Sequence, residues 1–108
     1  MPALDLLSAH VAALPAEVTP VFVFAPEYIN ALAASGSQAE RRLTACKARV
    51  RQIADSRPRS GYLDLMTDNE IARDASNYTD DIHYTQAAAT KIETAIADLL
   101  TRSGLTKK

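Results

Sequence analysis

Val21-Phe-Val-Phe-Ala25 is a continuous apolar run of branched and aromatic side chains, preceded by the turn Pro15-Ala-Glu-Val-Thr-Pro20 and stopped by Pro26. A run this short, with no polar alternation, suits a parallel strand buried on both faces. That requirement organises its flanks, because parallel strands are joined by a crossover and covered by helices. Leu4, Leu7, Val11 and Leu14 recur at three- and four-residue steps, which predicts a first helix from Pro2 to the Leu14-Pro15 break. Ser35-Gly36-Ser37 punctuates the chain, and Ser37 with Glu40 forms a capping box for a second helix running to about Asp55. Beyond the loop from Ser56 to Gly61, Tyr62-Leu-Asp-Leu-Met66 reads as the second strand. Asp64 interrupts its apolar members, so it belongs near the strand end or supports a loop. Thr67 to Thr79 is polar, aperiodic and long for a connection, the kind of loop that is usually functional. Thr85 caps a last helix whose stripe is Ala88 or Ala89, Ile92, Ile96 and Leu99, and Gly104 ends it ahead of a frayed Lys107-Lys108 tail.

The order helix, strand, helix, strand, helix predicts one α/β domain over residues 1–108, with parallel strands, a right-handed βαβ unit and three layers. Two parallel strands leave at least one apolar sheet edge uncovered. The expected cover is a second copy of the chain, making a homo-oligomer, or an N-terminal segment that this sequence lacks. No run of about eighteen apolar residues is present, so no membrane span is expected. The single cysteine, Cys46, excludes an internal disulfide; in the series Ala39, Leu43, Cys46, Val50 and Ile53 it reads as a buried packing thiol. Met-Pro-Ala-Leu-Asp has neither the basic flank nor the apolar core of an export signal, which leaves a cytoplasmic protein or a piece of a longer one. A net charge of −1 argues against a nucleic-acid partner. Basic residues cluster between Arg41 and Arg59 and read as the solvated face of a helix, with an anion-binding face as the competing reading; acids gather between Asp64 and Asp81.

Chemistry concentrates in Asp74-Ala-Ser-Asn-Tyr-Thr-Asp-Asp-Ile-His-Tyr84, just ahead of the last helix. Asp80 and His83 are three apart, so one tight bend lets the carboxylate hold an imidazole N–H while the other ring nitrogen faces a cleft. That is the orienter-and-base pair of a nucleophilic hydrolase. The competing reading has Asp80 capping the turn into the helix and His83 as a half-buried packing residue. Glu27, Tyr28 and Asn30 follow the first strand at its carboxyl end, where open α/β sheets bind ligands; the competing reading is a loop helix that packs Tyr28 and Leu32 on the core. His10 lies off its helix stripe, with no Cys, Glu or His at ligand spacing, and reads as a surface residue. Asp80, Asp81 and His83 are three ligands within four residues and cannot converge easily on one ion, so neither metal nor cofactor is expected.

The ordered string is longer than the pair. It comprises Phe24-Ala-Pro26 with Tyr28, then a strand ending at Asp64, then Ile71, Asp74, Asn77-Tyr78, Asp80 and His83-Tyr84. From about Thr19 to Leu100 this resembles the C-terminal part of an SGNH/GDSL hydrolase, the superfamily of serine esterases and acyltransferases with a flavodoxin-like sheet. The likeness is to a bacterial group related to the D-alanine-transfer proteins of lipoteichoic acid synthesis. The resemblance implies that His83 is the general base and Asp80 its orienter. It places Tyr28, Asn77, Tyr78 and Tyr84 around the substrate, with Asn77 and Tyr78 shaping the loop and Tyr84 packing beneath the histidine. It also suggests a parent protein associated with the cell envelope. The sequence departs from the family in lacking its Gly-Asp-Ser nucleophile block and the upstream Gly and Asn of the oxyanion hole. The expectation is therefore part of a hydrolase, or a remnant that kept the fold and lost catalysis, inactive alone. The alternative is a non-catalytic α/β module that self-associates through its sheet edge and helix faces.

Overall fold

A computed structural model describes residues 1–80 and 82–104. Helix α1 (Pro2–Ala12) begins with proline at its first position, where the missing N–H costs nothing. Strand β1 (Val21–Phe24) follows, then a single 3₁₀ turn at Ile29–Ala31. Helix α2 (Gln38–Asp55) starts at Ser37, whose Oγ accepts the Glu40 N–H at 3.1 Å. The Glu40 carboxylate reaches one residue further back than a capping box requires, accepting from the Gly36 N–H at 2.9 Å. Gly36 sits at φ +80°, a conformation that favours glycine, and so turns the chain into the helix.

Strand β2 (Gly61–Asp64) lies parallel to β1 in the register Val21↔Gly61, Phe22↔Tyr62, Val23↔Leu63 and Phe24↔Asp64. It is shorter than expected, leaving Leu65 and Met66 outside it, and Asp64 closes it. One Asp64 oxygen accepts the Met66 N–H at 2.9 Å while the other pairs with Lys47 Nζ at 2.8 Å, so the acid is paid for at the strand end. The connection from Thr67 to Thr79 is not structureless. It holds helix α3 (Glu70–Arg73), capped by the Asn69 side chain on the Ala72 N–H, and a 3₁₀ turn at Ala75–Asn77 capped by Asp74 on the Ser76 N–H. Helix α4 (Gln86–Arg102) is capped by Thr85, whose hydroxyl accepts the Ala88 N–H at 3.2 Å, and is followed by Gly104 at φ +65°. The Lys107-Lys108 tail lies outside the described residues.

The protein is a mixed α/β chain with a two-stranded parallel sheet. Val11, Val50, Ile53, Ala54, Ala88 and Ile92 are buried and form the core, while Ile96 and Leu99 of the α4 stripe are half-buried. The Lys47 ammonium lies 5.8 Å from the centre of the Phe24 ring and the Arg51 guanidinium 5.0 Å from that of Tyr62, so α2 covers the face that carries Phe24 and Tyr62. Strand alternation puts Val21 and Val23 on the other face. There Val23 is 37 % exposed, which corrects the expectation of burial on both faces. The run was apolar enough for burial, but a sheet of two strands has no further neighbour to cover it. Cys46 is likewise half-buried rather than buried.

The basic stretch is used internally more than a solvated face would be. Lys47 Nζ also donates to the Met66 carbonyl at 2.7 Å. The Arg57 guanidinium donates to the carbonyls of Val11, Leu14, Pro15 and Val18, tying the end of α1 to the end of α2. Among the described residues, no helix is long and apolar enough to cross a membrane.

Candidate functional site

The loop between the Ala75–Asn77 turn and α4 closes on itself. Tyr78 and Tyr84 form an antiparallel bridge, and the Thr79 N–H and hydroxyl both donate to the His83 carbonyl, at 2.8 and 3.1 Å. Asp80 sits at the bend. Its Oδ1 accepts the N–H groups of Ile82 at 2.9 Å and His83 at 2.7 Å, and its Oδ2 lies 2.6 Å from His83 Nδ1. Asp80 therefore does both things that the sequence left open: it caps the turn and it grips the ring. The backbone N–H of Ile82 and the contacts from His83 hold its carboxyl down at about 2. An ionised carboxylate only accepts, so Nδ1 carries the proton and the lone pair of a neutral ring is on Nε2, the tautomer a general base requires.

The reading of His83 as half-buried packing does not hold, because its side chain is 70 % exposed. Its chain neighbours Ile82 and Tyr84 are exposed too. A cleft of about 190 Å³ is lined by Tyr28, Ala75, Tyr78, Thr79 and Asp80; Asp80 joins it to the pair, while the His83 ring, expected to face a cleft, is not part of its lining. Tyr28 comes from the segment just past the carboxyl end of β1, and its ring meets that of Tyr78 at 5.6 Å with a 56° tilt. The Tyr78 hydroxyl is buried without a hydrogen-bond partner among the described residues, and that burial, with the nearby Glu27 charge, raises its pKa.

Four residues were expected around a substrate, and the fold separates them. Tyr28 and Tyr78 line the cleft. Asn77 is 2 % exposed and turned inward, its amide donating to the Ile71 carbonyl at 3.1 Å and its Oδ1 accepting from Lys91 Nζ at 2.8 Å. It shapes the loop and does not line the cleft. Tyr84 contributes its backbone to the bridge; the residue is 42 % exposed and stands outside the cleft lining. Lys91 was not singled out by the sequence; it lies fourteen positions after Asn77, and only the fold brings them together.

Among the described residues, no serine, threonine or cysteine side chain hydrogen-bonds to the His83 ring, whose partner is Asp80. The nearest serine in sequence, Ser76, spends its hydroxyl on Asp74 Oδ1 at 2.7 Å. Asp81, the third member of the metal alternative, lies outside the described residues; among those described, no group of three or more His, Cys, Asp or Glu is placed to hold an ion. No protein-family model, curated protein or solved structure matches the chain, so the site is read on its geometry and its chemistry.

Proposed function

We propose that Asp80 and His83 are the orienter and the general base of an SGNH-like serine esterase or acyltransferase, of which this chain is the C-terminal, flavodoxin-like three-layer part. One observation carries the reading: the 2.6 Å contact between His83 Nδ1 and Asp80 Oδ2 on a side chain that is 70 % exposed, which leaves Nε2 as the ring nitrogen for a reacting partner. The position of the cleft, beside residues that follow the carboxyl end of β1, supports it. A base without a nucleophile or oxyanion donors forgoes the largest transition-state terms, so the 108-residue chain alone is expected to turn over no ester. The test is fluorophosphonate labelling and short-chain ester hydrolysis by the full-length gene product, with His83→Ala as its control. Labelling with a loss of turnover of roughly 10³-fold or more in the variant is the expected result. No labelling, or unchanged turnover in His83→Ala, ends the proposal.

A second reading rests on a different observation, the exposed Val23 on a sheet that has no third strand among the described residues. In that reading the chain is a non-catalytic module that self-associates through β1, and a strictly monomeric mass by light scattering counts against it.

A further inference from the structure

We propose that Lys91 is a positioning residue: acting from α4 through Asn77, it fixes the loop that presents Asp80 to His83. Its importance for function rests on the hydrolase reading; its effect on the loop does not.

The argument starts at the neck of the loop. The Asn77 carbonyl accepts the Thr85 N–H at 2.7 Å, and the next residue, Tyr78, pairs with Tyr84, so Asn77 is where the two arms of the loop meet. Its side chain is enclosed and has two partners, the Ile71 carbonyl of α3 and the Lys91 ammonium of α4. The second is a charge-assisted bond to a buried amide oxygen, the stronger kind, and removing its donor leaves that oxygen with no other partner among the described residues. Lys91 acts on the other end of the same turn as well. Asp74 caps Ala75–Asn77, and the nearby Lys91 charge is one of the influences that lower the Asp74 carboxyl, after its bonds to Ser76. One cation therefore steadies both the cap and the last residue of the turn from which the Asp80 loop springs.

Asp80 reports on the loop without any reaction. Its carboxyl is held at about 2 by Ile82 and His83, and Lys91 is not among the groups that act on it. A change in Asp80 titration on removing Lys91 must then come from loosening of the loop. The experiment is an NMR titration of the Asp80 carboxyl carbon in the wild type, Lys91→Met and Lys91→Arg, with Arg42→Met as a control for loss of a positive charge. The expected result is a rise of about one pH unit or more in Lys91→Met, no change in the control, and recovery in Lys91→Arg, which keeps a charged donor. An unchanged Asp80 titration in folded Lys91→Met overturns the proposal. Hydrogen exchange on the wild-type chain decides it independently of how the variant folds. The amides of Ile82, His83 and Thr85 should open together, and protected Thr85 beside freely exchanging Ile82 and His83 refutes it. Absence of esterase activity leaves all these readouts intact, so the two proposals fail separately.

Discussion

Asp80 holds three hydrogen bonds on two oxygens at an exposed bend, which makes the loop sensitive to its charge. Its carboxyl is lowered to about 2 from an ordinary 3.8 by the Ile82 and His83 contacts. A depressed carboxylate contributes to the folded state above its unfolded pKa, and that contribution is lost as pH falls through the folded value. Loop order should therefore be full above about pH 5 and disappear between about pH 4 and pH 2. Asp68, lowered by Arg73, and Asp74, lowered by Ser76, titrate in the same direction on neighbouring turns. Amide nitrogen shifts of Ile82 and His83, followed from pH 6 down to 1.5, check this. A midpoint near 3.8 in place of about 2 indicates that Asp80 is not engaged. The Asp80–His83 contact was legible in the sequence because a spacing of three needs only a local bend. Lys91 was not, because nothing local links a lysine on α4 to an asparagine before the loop.

Helix boundaries followed local chemistry closely: Pro2, Ser37 and Thr85 stand at or beside the helix starts that their residue types announce. The segment from Thr67 to Thr79 did not read as helical, since a four-residue helix and a single 3₁₀ turn are too short to show periodicity. Their caps, Asn69 and Asp74, were the available signal. Arg57 was also misleading, because in sequence it is one more charge in a basic run. In the fold its guanidinium spans the carbonyls of Val11, Leu14, Pro15 and Val18, joining the last turn of α1 and the segment that follows it to the end of α2. Bonds from a charged donor are each worth about 1.5–3 kcal/mol, more than the ~1 kcal/mol of an N-cap. Arg57→Ala should accordingly cost about 2 kcal/mol or more, exceeding Thr85→Ala. Arg57→Lys should recover little of it, because a point ammonium cannot bridge four separated carbonyls. Urea unfolding of the three variants decides this; full recovery by lysine would mean that only the charge matters.

At the scale of the molecule, the chain is flat, with extents of 40 × 37 × 19 Å and a radius of gyration of 15.2 Å. A compact domain of this length has a radius near 13 Å. The accessible surface of 7107 Å² exceeds the roughly 5,900 Å² expected for a folded monomer of this mass. The surplus, about 1,200 Å², is of the order that one partner hides in a standard interface, about 800 Å². Val23, on the face away from α2, marks one place where cover is lacking, and β1 carries no charge or proline to block pairing. Both functional readings need that cover, one from a strand that brings the nucleophile and the other from a second copy. Light scattering on the chain and on Val23→Lys separates them, since lysine on an edge strand is a natural bar to pairing. If a second copy is the cover, the wild type has the mass of a dimer and a melting temperature that rises with concentration. Val23→Lys would then be a monomer without that dependence. If the wild type is a monomer at every concentration, a substitution at a position already 37 % exposed should shift stability by no more than about 0.5 kcal/mol. In that case self-association through β1 is excluded.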